Sequence, residues 1–145
     1  MKKELRLKKV ELFLSMVDKD FPISLSEKVD LKEYAKKLCN KASVFYEEEK
    51  DEIIAMLAGY TEDLSDNIAY IALLATLTKY RGRGLAKKLM IDFFALCREK
   101  NIAAVHLYTT ANNQSAQKLY KDLGFKNYTP KNEPRPNDVH LIYYL

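Results

Sequence analysis

The stretch Tyr80-Arg81-Gly82-Arg83-Gly84-Leu85-Ala86 decides how the chain folds, because it joins a strand-forming run to a helix-forming one. Upstream, Ala69 to Leu77 is an almost unbroken apolar run of strand length. Downstream, Leu85 to Lys100 puts Leu85, Leu89, Phe93 and Leu96 at helical spacing, with Lys88, Asp92 and Glu99 on the other side. The two glycines of the turn leave backbone N–H groups uncovered at the positive end of the helix dipole, an arrangement that binds phosphate. Lys79, Arg81, Arg83, Lys87 and Lys88 gather positive charge around it. The stretch therefore reads as a polyphosphate site.

Three phosphate-binding motifs compete for that reading. A P-loop needs Gly-Lys followed by Ser or Thr, and Gly84 is followed by Leu85. A dinucleotide fingerprint needs a third glycine three positions past Gly84, where Lys87 stands, and a strand that opens a βαβ unit early in the chain. What remains is Arg81-x-x-Gly84-x-Ala86, which resembles the acyl-CoA pyrophosphate loop of the GCN5-related N-acetyltransferase superfamily. Taken alone, the motif also fits an ordinary strand-to-helix turn whose glycines serve geometry.

A second motif, Asn113-x-x-Ala116-x-x-Leu119-Tyr120-x-x-Leu123-Gly124-Phe125, is similar to another defining motif of the same superfamily and follows the loop at the usual distance. Its residues also make physical sense as a short capped helix. Asn112 or Asn113 caps the start, Ala116, Leu119, Tyr120 and Leu123 form one face, and Gly124 closes the end with Phe125 as its apolar partner. Three of the chain's four glycines, Gly82, Gly84 and Gly124, occupy motif positions between residues 69 and 125.

The resemblance implies an acetyl-CoA-dependent N-acetyltransferase that acylates a primary amine. In that superfamily the strand before the loop splays from its neighbour, and the pantetheine arm lies in the gap. Carried over, Leu74, Ala75 and Thr76 hold the pantetheine, and the backbone from Arg81 through Gly82, Arg83, Gly84, Leu85 and Ala86 to Lys87 holds the pyrophosphate. Asn113 hydrogen-bonds the cofactor's arm, a strand N–H near Thr76 stabilises the oxyanion, and Tyr120 protonates the departing thiolate. The usual proline after the strand is Thr78 here. A general base is harder to name. Ala69 to Leu77 carries no carboxylate, and the position five residues before the motif asparagine is Tyr108. His106, on the same face as Tyr108, is one candidate, although a lone histidine on an apolar strand is more often a packing residue. A water chain ending at Glu47, Asp63 or Asp66 is another, and His140 is uninformative.

The acceptor is least legible. The segments Phe21 to Lys28 and Pro130 to Asn137 are the two loops long enough to wall its site, and neither carries a dense acidic cluster. That points to a small, singly charged amine over a polyamine or a basic peptide tail, with the acidic link Glu62, Asp63 and Asp66 as the counterargument. The alternatives are a protein or peptide acetyltransferase and a catalytically idle acyl-CoA-binding or interaction module of the same fold.

At 145 residues with 48% hydrophobic content, the chain fits one domain, residues 1–145, with a core of its own. Twenty-four basic against twenty acidic residues give a net charge of +4, a balance that does not point to nucleic acid. Cys39 and Cys97 lack a second Cys or His at metal-ligand spacing, so no metal is expected and both read as reduced core residues. No signal peptide and no apolar run of about 18 residues is present, which predicts a cytoplasmic protein with no membrane partner. A homodimer is compatible with all of this.

The remaining chain supplies the flanking elements. Leu7 to Val17 places Val10, Phe13, Leu14 and Val17 on one face of a helix, Phe21 to Lys28 reads as a loop, and Asp30 with Glu33 caps a second helix carrying Leu31, Tyr34, Ala35 and Leu38. Ser43 to Glu47 and Glu52 to Tyr60 form a hairpin about the charged Glu48 to Asp51, and Ile102 to Tyr108 is the strand after the central helix. Lys126 to Leu145 supplies two final strands flanking the Pro-rich segment. The predicted class is α+β: a mixed, mostly antiparallel sheet with a central parallel βαβ unit and helices on both faces. Superfamily members usually begin with a strand, which the residues ahead of Leu7 barely provide, so the first strand is open to being missing.

Overall fold

The computed structural model describes residues 2–21, 24–129 and 138–145. It begins with helix α1 (Lys2–Val17) and a 3-10 turn (Asp18–Asp20), followed by α2 (Leu25–Lys28) and α3 (Leu31–Lys41). A hairpin of β1 (Ser43–Glu49) and β2 (Glu52–Tyr60) leads to β3 (Ile68–Thr76), a second 3-10 turn (Thr78–Tyr80) and α4 (Leu85–Glu99). Strand β4 (Ala104–Thr110), α5 (Gln114–Leu123), β5 (Lys126–Asn127) and β6 (Asp138–Tyr144) complete it. The six strands lie in the order β1-β2-β3-β4-β6-β5, and every neighbouring pair is antiparallel except β3 with β4. Among the described residues no strand precedes α1, and no helix is long and apolar enough to cross a membrane.

The order follows from which faces the sequence makes apolar. Strand β2 is buried from Ile53 to Ala58, so both its faces must be covered. Met56 and Ala58 meet Val10, Phe13, Leu14 and Val17 of α1 with Ala35 and Leu38 of α3, whereas Ala55 and Leu57 meet Leu89, Met90 and Phe93 of α4. Gly59 lets α4 sit this close: a Cβ there would overlap Cε1 and Cζ of Phe93.

Strand β3 switches faces partway along. The β2–β3 register shifts between Ala58 and Gly59, which pair with Leu73 and Ile71 and leave Ala72 as an extra residue. Ile71 therefore packs towards α4 and Leu73 towards α1 and α3, although their spacing would put them on one face of a regular strand. The bulge lies just beyond the place where β3 leaves β4.

Several boundaries differ from the sequence reading. Helix α1 starts at Lys2, before Leu7, because the charged first residues are good helix formers that carry no apolar signal. The hairpin turn is the two residues Lys50 and Asp51, both at positive φ, so Glu48 and Glu49 belong to the ladder. The expected loop from Phe21 to Lys28 contains a helical turn, α2, whose Ser26 N–H and Oγ each donate to the Asp18 carboxylate at 2.7 Å. Pro22, Ile23 and the segment from Pro130 to Asn137 lie outside the described residues. The Asp30 cap is found, its Oδ1 accepting from the Glu33 N–H at 3.1 Å.

Gly59→Ala is expected to lower stability by about 1–3 kcal/mol through overpacking against Phe93. A urea titration reads this as a lower midpoint at unchanged slope. An unaltered midpoint would mean that Phe93 does not rest on Gly59.

Candidate active site

Pairing between β3 and β4 covers only Ile68 with Ala104, Ala69 with Val105 and Tyr70 with His106. Beyond that last pair β3 runs on to Thr76 and β4 to Thr110 without further pairing to each other, so a V-shaped gap opens inside the sheet. Leu74, Ala75 and Thr76 stand on one arm of the V, and Tyr108, Thr109 and Thr110 on the other. Backbone groups on these facing edges have no strand to bond, which is the condition under which an extended ligand adds to a sheet.

Two connected clefts fill the gap and its mouth. One, about 380 Å³, runs along Leu74, Ala75 and Thr76 to Arg81, Gly82, Gly84, Leu85, Ala86 and Lys87. The other, about 260 Å³, reaches Tyr70 and Tyr108 at the bottom and Phe21, Leu25, Lys28 and Asp138 at the rim. Phe21, Leu74, Asn113, Ala116 and Tyr120 line both.

The loop end is built for an anion. Gly82 and Gly84 have φ of +82 and +77, a region open to glycine, and a Cβ at either would point into space with no atom within 4 Å. Gly84 caps α4 without a side-chain bond. Its first intrahelical contact is Lys88 N to Gly84 O, 3.0 Å, so the N–H groups of the preceding turn are unspent. The Arg81 amide is already committed to Thr78 O at 3.3 Å. Its guanidinium donates to Thr76 O at 3.2 Å and meets Asp20 at 3.4 Å, which ties the loop to the end of α1. Arg83 does not line the cleft; its guanidinium lies over the Tyr80 ring at 5.0 Å.

Asn113 Oδ1 accepts from Ala116 N and Ser115 Oγ, each at 3.3 Å, as the cap of α5. Its side-chain nitrogen makes no hydrogen bond among the described residues, so a donor remains on the cleft wall. Gly124, at φ +110, ends the helix, and Phe125 N returns to Tyr120 O at 3.0 Å. That return holds Tyr120 over Phe125, ring centroids 5.7 Å apart, with the phenol at the junction of the two clefts. Burial pushes its pKa up to about 12, because the phenolate loses water; the hydroxyl is a proton donor at neutral pH.

The carboxylates considered as bases do not line the gap. Glu47 pairs with Lys88 on the outer strand, and Asp63 and Asp66 sit in the turn before β3. Glu62 pairs with Lys100. His106 stands at the apex of the V, where its Nδ1 lies 2.7 Å from His140 Nε2. Sequence reasoning missed that partner, together with Tyr70 and Asp138 as lining residues, whereas Phe21, Leu25 and Lys28 lie in the segment it names as long enough to wall the acceptor side. Among the described residues there is no group of three metal-ligating side chains.

The sequence signature of the acetyltransferase (GNAT) family matches residues 11–125. The chain is 39% identical over 59 residues to GCN5-related N-acetyltransferase 4, chloroplastic, of Arabidopsis thaliana, covering 41% of this chain and 20% of that protein. It is 36% identical over 59 residues to N-alpha-acetyltransferase 30 of Schizosaccharomyces pombe, covering 41% and 39%. The matched stretch thus spans about a fifth and two fifths of these curated relatives. The crystal structure of the PaiA N-acetyltransferase from Thermoplasma acidophilum in complex with coenzyme A shares the fold, with TM-score 0.72 and 15% identity over 99% of this chain and 92% of that one.

Gly84→Val puts a branched side chain into the open space over the loop, at a φ that such residues avoid. The expected result is a folded protein whose affinity for coenzyme A falls at least about tenfold by calorimetry, a loss of about 1.4 kcal/mol. Wild-type affinity in folded Gly84→Val would remove the loop from the site.

Proposed function

Because the chain belongs to the acetyltransferase (GNAT) family, we propose that it is a cytoplasmic, single-domain N-acetyltransferase that moves acetyl from acetyl-CoA to a primary amine. The observation that carries this reading is the gap between β3 and β4, with unspent helix-terminal amides at its mouth and a protonated phenol at its middle. A pantetheine arm bonded to Leu74, Ala75 and Thr76, with its pyrophosphate on the amides of Gly82 to Lys87, brings the thioester beside Tyr120. Asn113 Nδ2 bonds the arm.

The chemistry asks three things of the residues. An alkylammonium, with a pKa of roughly 10, must lose a proton before it can attack. The oxyanion that forms on attack needs a donor, which a strand N–H near Thr76 supplies. The departing thiolate takes the Tyr120 proton, which burial keeps on the phenol until the thiolate forms, and the phenolate left behind is neutralised by the surplus proton of the nascent amide.

The acceptor favoured by the rim is a small amine with one positive charge. Among the described residues, Asp138 is the one carboxylate lining the acceptor part of the gap, and Lys28 adds a positive charge beside it. A polyamine or lysine-rich tail would want several carboxylates. A protein N-terminus is the second reading, favoured by the likeness to an N-alpha-acetyltransferase, and it too presents one ammonium group.

Acetyl-CoA is expected to raise the melting temperature, whereas NAD and ATP leave it unaltered. Mass spectrometry across amino sugars, amino acids, polyamines and N-terminal peptides then names the acceptor. Spermidine or a lysine-rich peptide acetylated far faster than every monoamine and N-terminus would overturn the single-charge reading. Acyl-CoA binding with no acetylated product across the panel would favour an idle binding module. With the acceptor in hand, Tyr120→Phe should lower kcat well over about tenfold at nearly constant acetyl-CoA affinity. Equal turnover would return Tyr120 to a packing role.

A further inference from the structure

We propose that the acceptor is a single amino acid with an apolar side chain, its ammonium drawn to Asp138 and its carboxylate to Lys28. The inference rests on the acetyltransfer reading above and names the substrate class for that site. Strand register and a short helix bring the two charges to one cleft. In β4 and β6, Leu107, Leu141 and Val139 pack into the cluster that contains α4, so the residues alternating with them face the other way. Thr110 and Asp138 are the end pair of that ladder, which puts Asp138 at the open end of the V on the opposite face. There Phe21 and Leu25 pack towards α1 and α3. The α2 turn is anchored by the two bonds from Ser26 to Asp18, and Lys28, three residues after Leu25, lies on the same side of it and lines the rim.

Lys28 and Asp138 are the two charged residues lining this cleft among the described residues, and they have opposite signs. They do not pair with each other. The ion pairs among the described residues lie elsewhere, and neither Lys28 nor Asp138 belongs to one. At the donor end, by contrast, Arg81 and Asp20 line the other cleft and meet at 3.4 Å, so each offsets its neighbour. A cleft that keeps one cation and one anion apart complements a molecule that carries one of each. A polyamine would set a second positive charge against Lys28, and an amino sugar would leave Lys28 without a counter-ion. A peptide N-terminus would place a neutral amide where the carboxylate belongs.

The wall between the charges is apolar and aromatic. Phe21 and Leu25 form the rim, and Tyr70 and Tyr108, which meet edge-on at 6.2 Å, form the floor, a lining suited to an aliphatic or aromatic side chain. Size points the same way. The cleft holds about 260 Å³, less than the roughly 300–1,000 Å³ of pockets for drug-sized molecules, and its inner end at Leu74 and Tyr120 is shared with the donor. One amino acid fills what remains.

Binding to the coenzyme A complex and turnover with acetyl-CoA are measured for leucine and phenylalanine, their carboxamides, spermidine, and peptides that begin with the same two residues. Calorimetry at a pH where every amine is protonated should show each acid bound at least about tenfold tighter than its carboxamide. Lys28→Ala should bring acid and carboxamide to within about twofold of each other, Lys28→Glu should invert the order, and Lys28→Arg should keep it. Asp138→Asn should weaken both alike, because both carry the ammonium. Amidation lowers the pKa of the amine and so favours the carboxamide in turnover. The kinetic measure is therefore the change in the acid-to-carboxamide ratio of kcat/KM on substitution, which should follow the binding order. Equal binding of acid and carboxamide by the wild-type protein, a ratio indifferent to Lys28→Glu, or tighter binding of spermidine or the peptides would overturn the proposal. Acetylation of other amines with no such selectivity would overturn it and leave the acetyltransfer reading standing. Acid-selective binding that depends on Lys28, with no acetylated product, would keep the amino-acid site and remove the acetyltransfer reading.

Discussion

The parallel pairing of β3 with β4 ends at Tyr70 and His106, and the rest of the molecule is arranged around that early end. A strand edge left open inside a sheet exposes unpaired backbone polar groups, which cost about 1–3 kcal/mol each when buried without a partner. The chain tolerates the opening because other elements hold the two halves of the sheet. Strand β2 fixes β3 through Tyr60 with Tyr70 to Ala55 with Thr76, β6 fixes β4 over its whole length, and α4 packs beneath both. The bulge at Ala72 matters here, since it turns Leu73 to the α1 and α3 side and Leu74 to the α4 side at the point where β3 stands without β4. An open seam with a packed floor is a binding feature that needs no lid.

Charge is placed with the same economy. The exposed ion pairs Lys9–Glu48 and Lys118–Asp122 contribute little to stability, as surface pairs do. The Arg81–Asp20 pair has a different consequence, because Arg81 borders the cleft at the glycine loop and Asp20 ends the turn just before Phe21. Asp18, held by Ser26, fixes the other side of that turn, and these hydrogen bonds keep its carboxyl below the ordinary carboxylate range. The two aspartates thus tie the turn after α1 to α2 on one side and to the glycine loop on the other.

The sequence made the loop, the central helix and the capped α5 legible because each rests on local chemistry: glycines at positive φ, helical periodicity, an asparagine cap. Site residues from Leu74 to Lys87, with Asn113 and Tyr120, could be placed on one cleft for the same reason. Arg83 faces Tyr80 instead, since cation and ring are close along the chain and compete with the ligand site. What stayed hidden depends on register. The shift at Ala72 and the meeting of His106 with His140 require knowing which residues face each other across neighbouring strands, the two histidines being 34 positions apart. No local pattern in either strand carries that information. Helix α2 was hidden likewise, because its anchor, Asp18, is eight residues away.

Hydrogen exchange on the backbone amides of β3 and the glycine loop, with and without coenzyme A, tests the seam most directly. Slowed exchange is expected in the stretch from Leu74 to Thr76 and from Gly82 to Lys87 on binding, with the β1–β2 hairpin unaltered. Pantetheine alone should slow the first stretch and leave the second as it was. Protection spread evenly over the sheet, or confined to the loop with Leu74 to Thr76 untouched, would contradict an arm lying between β3 and β4.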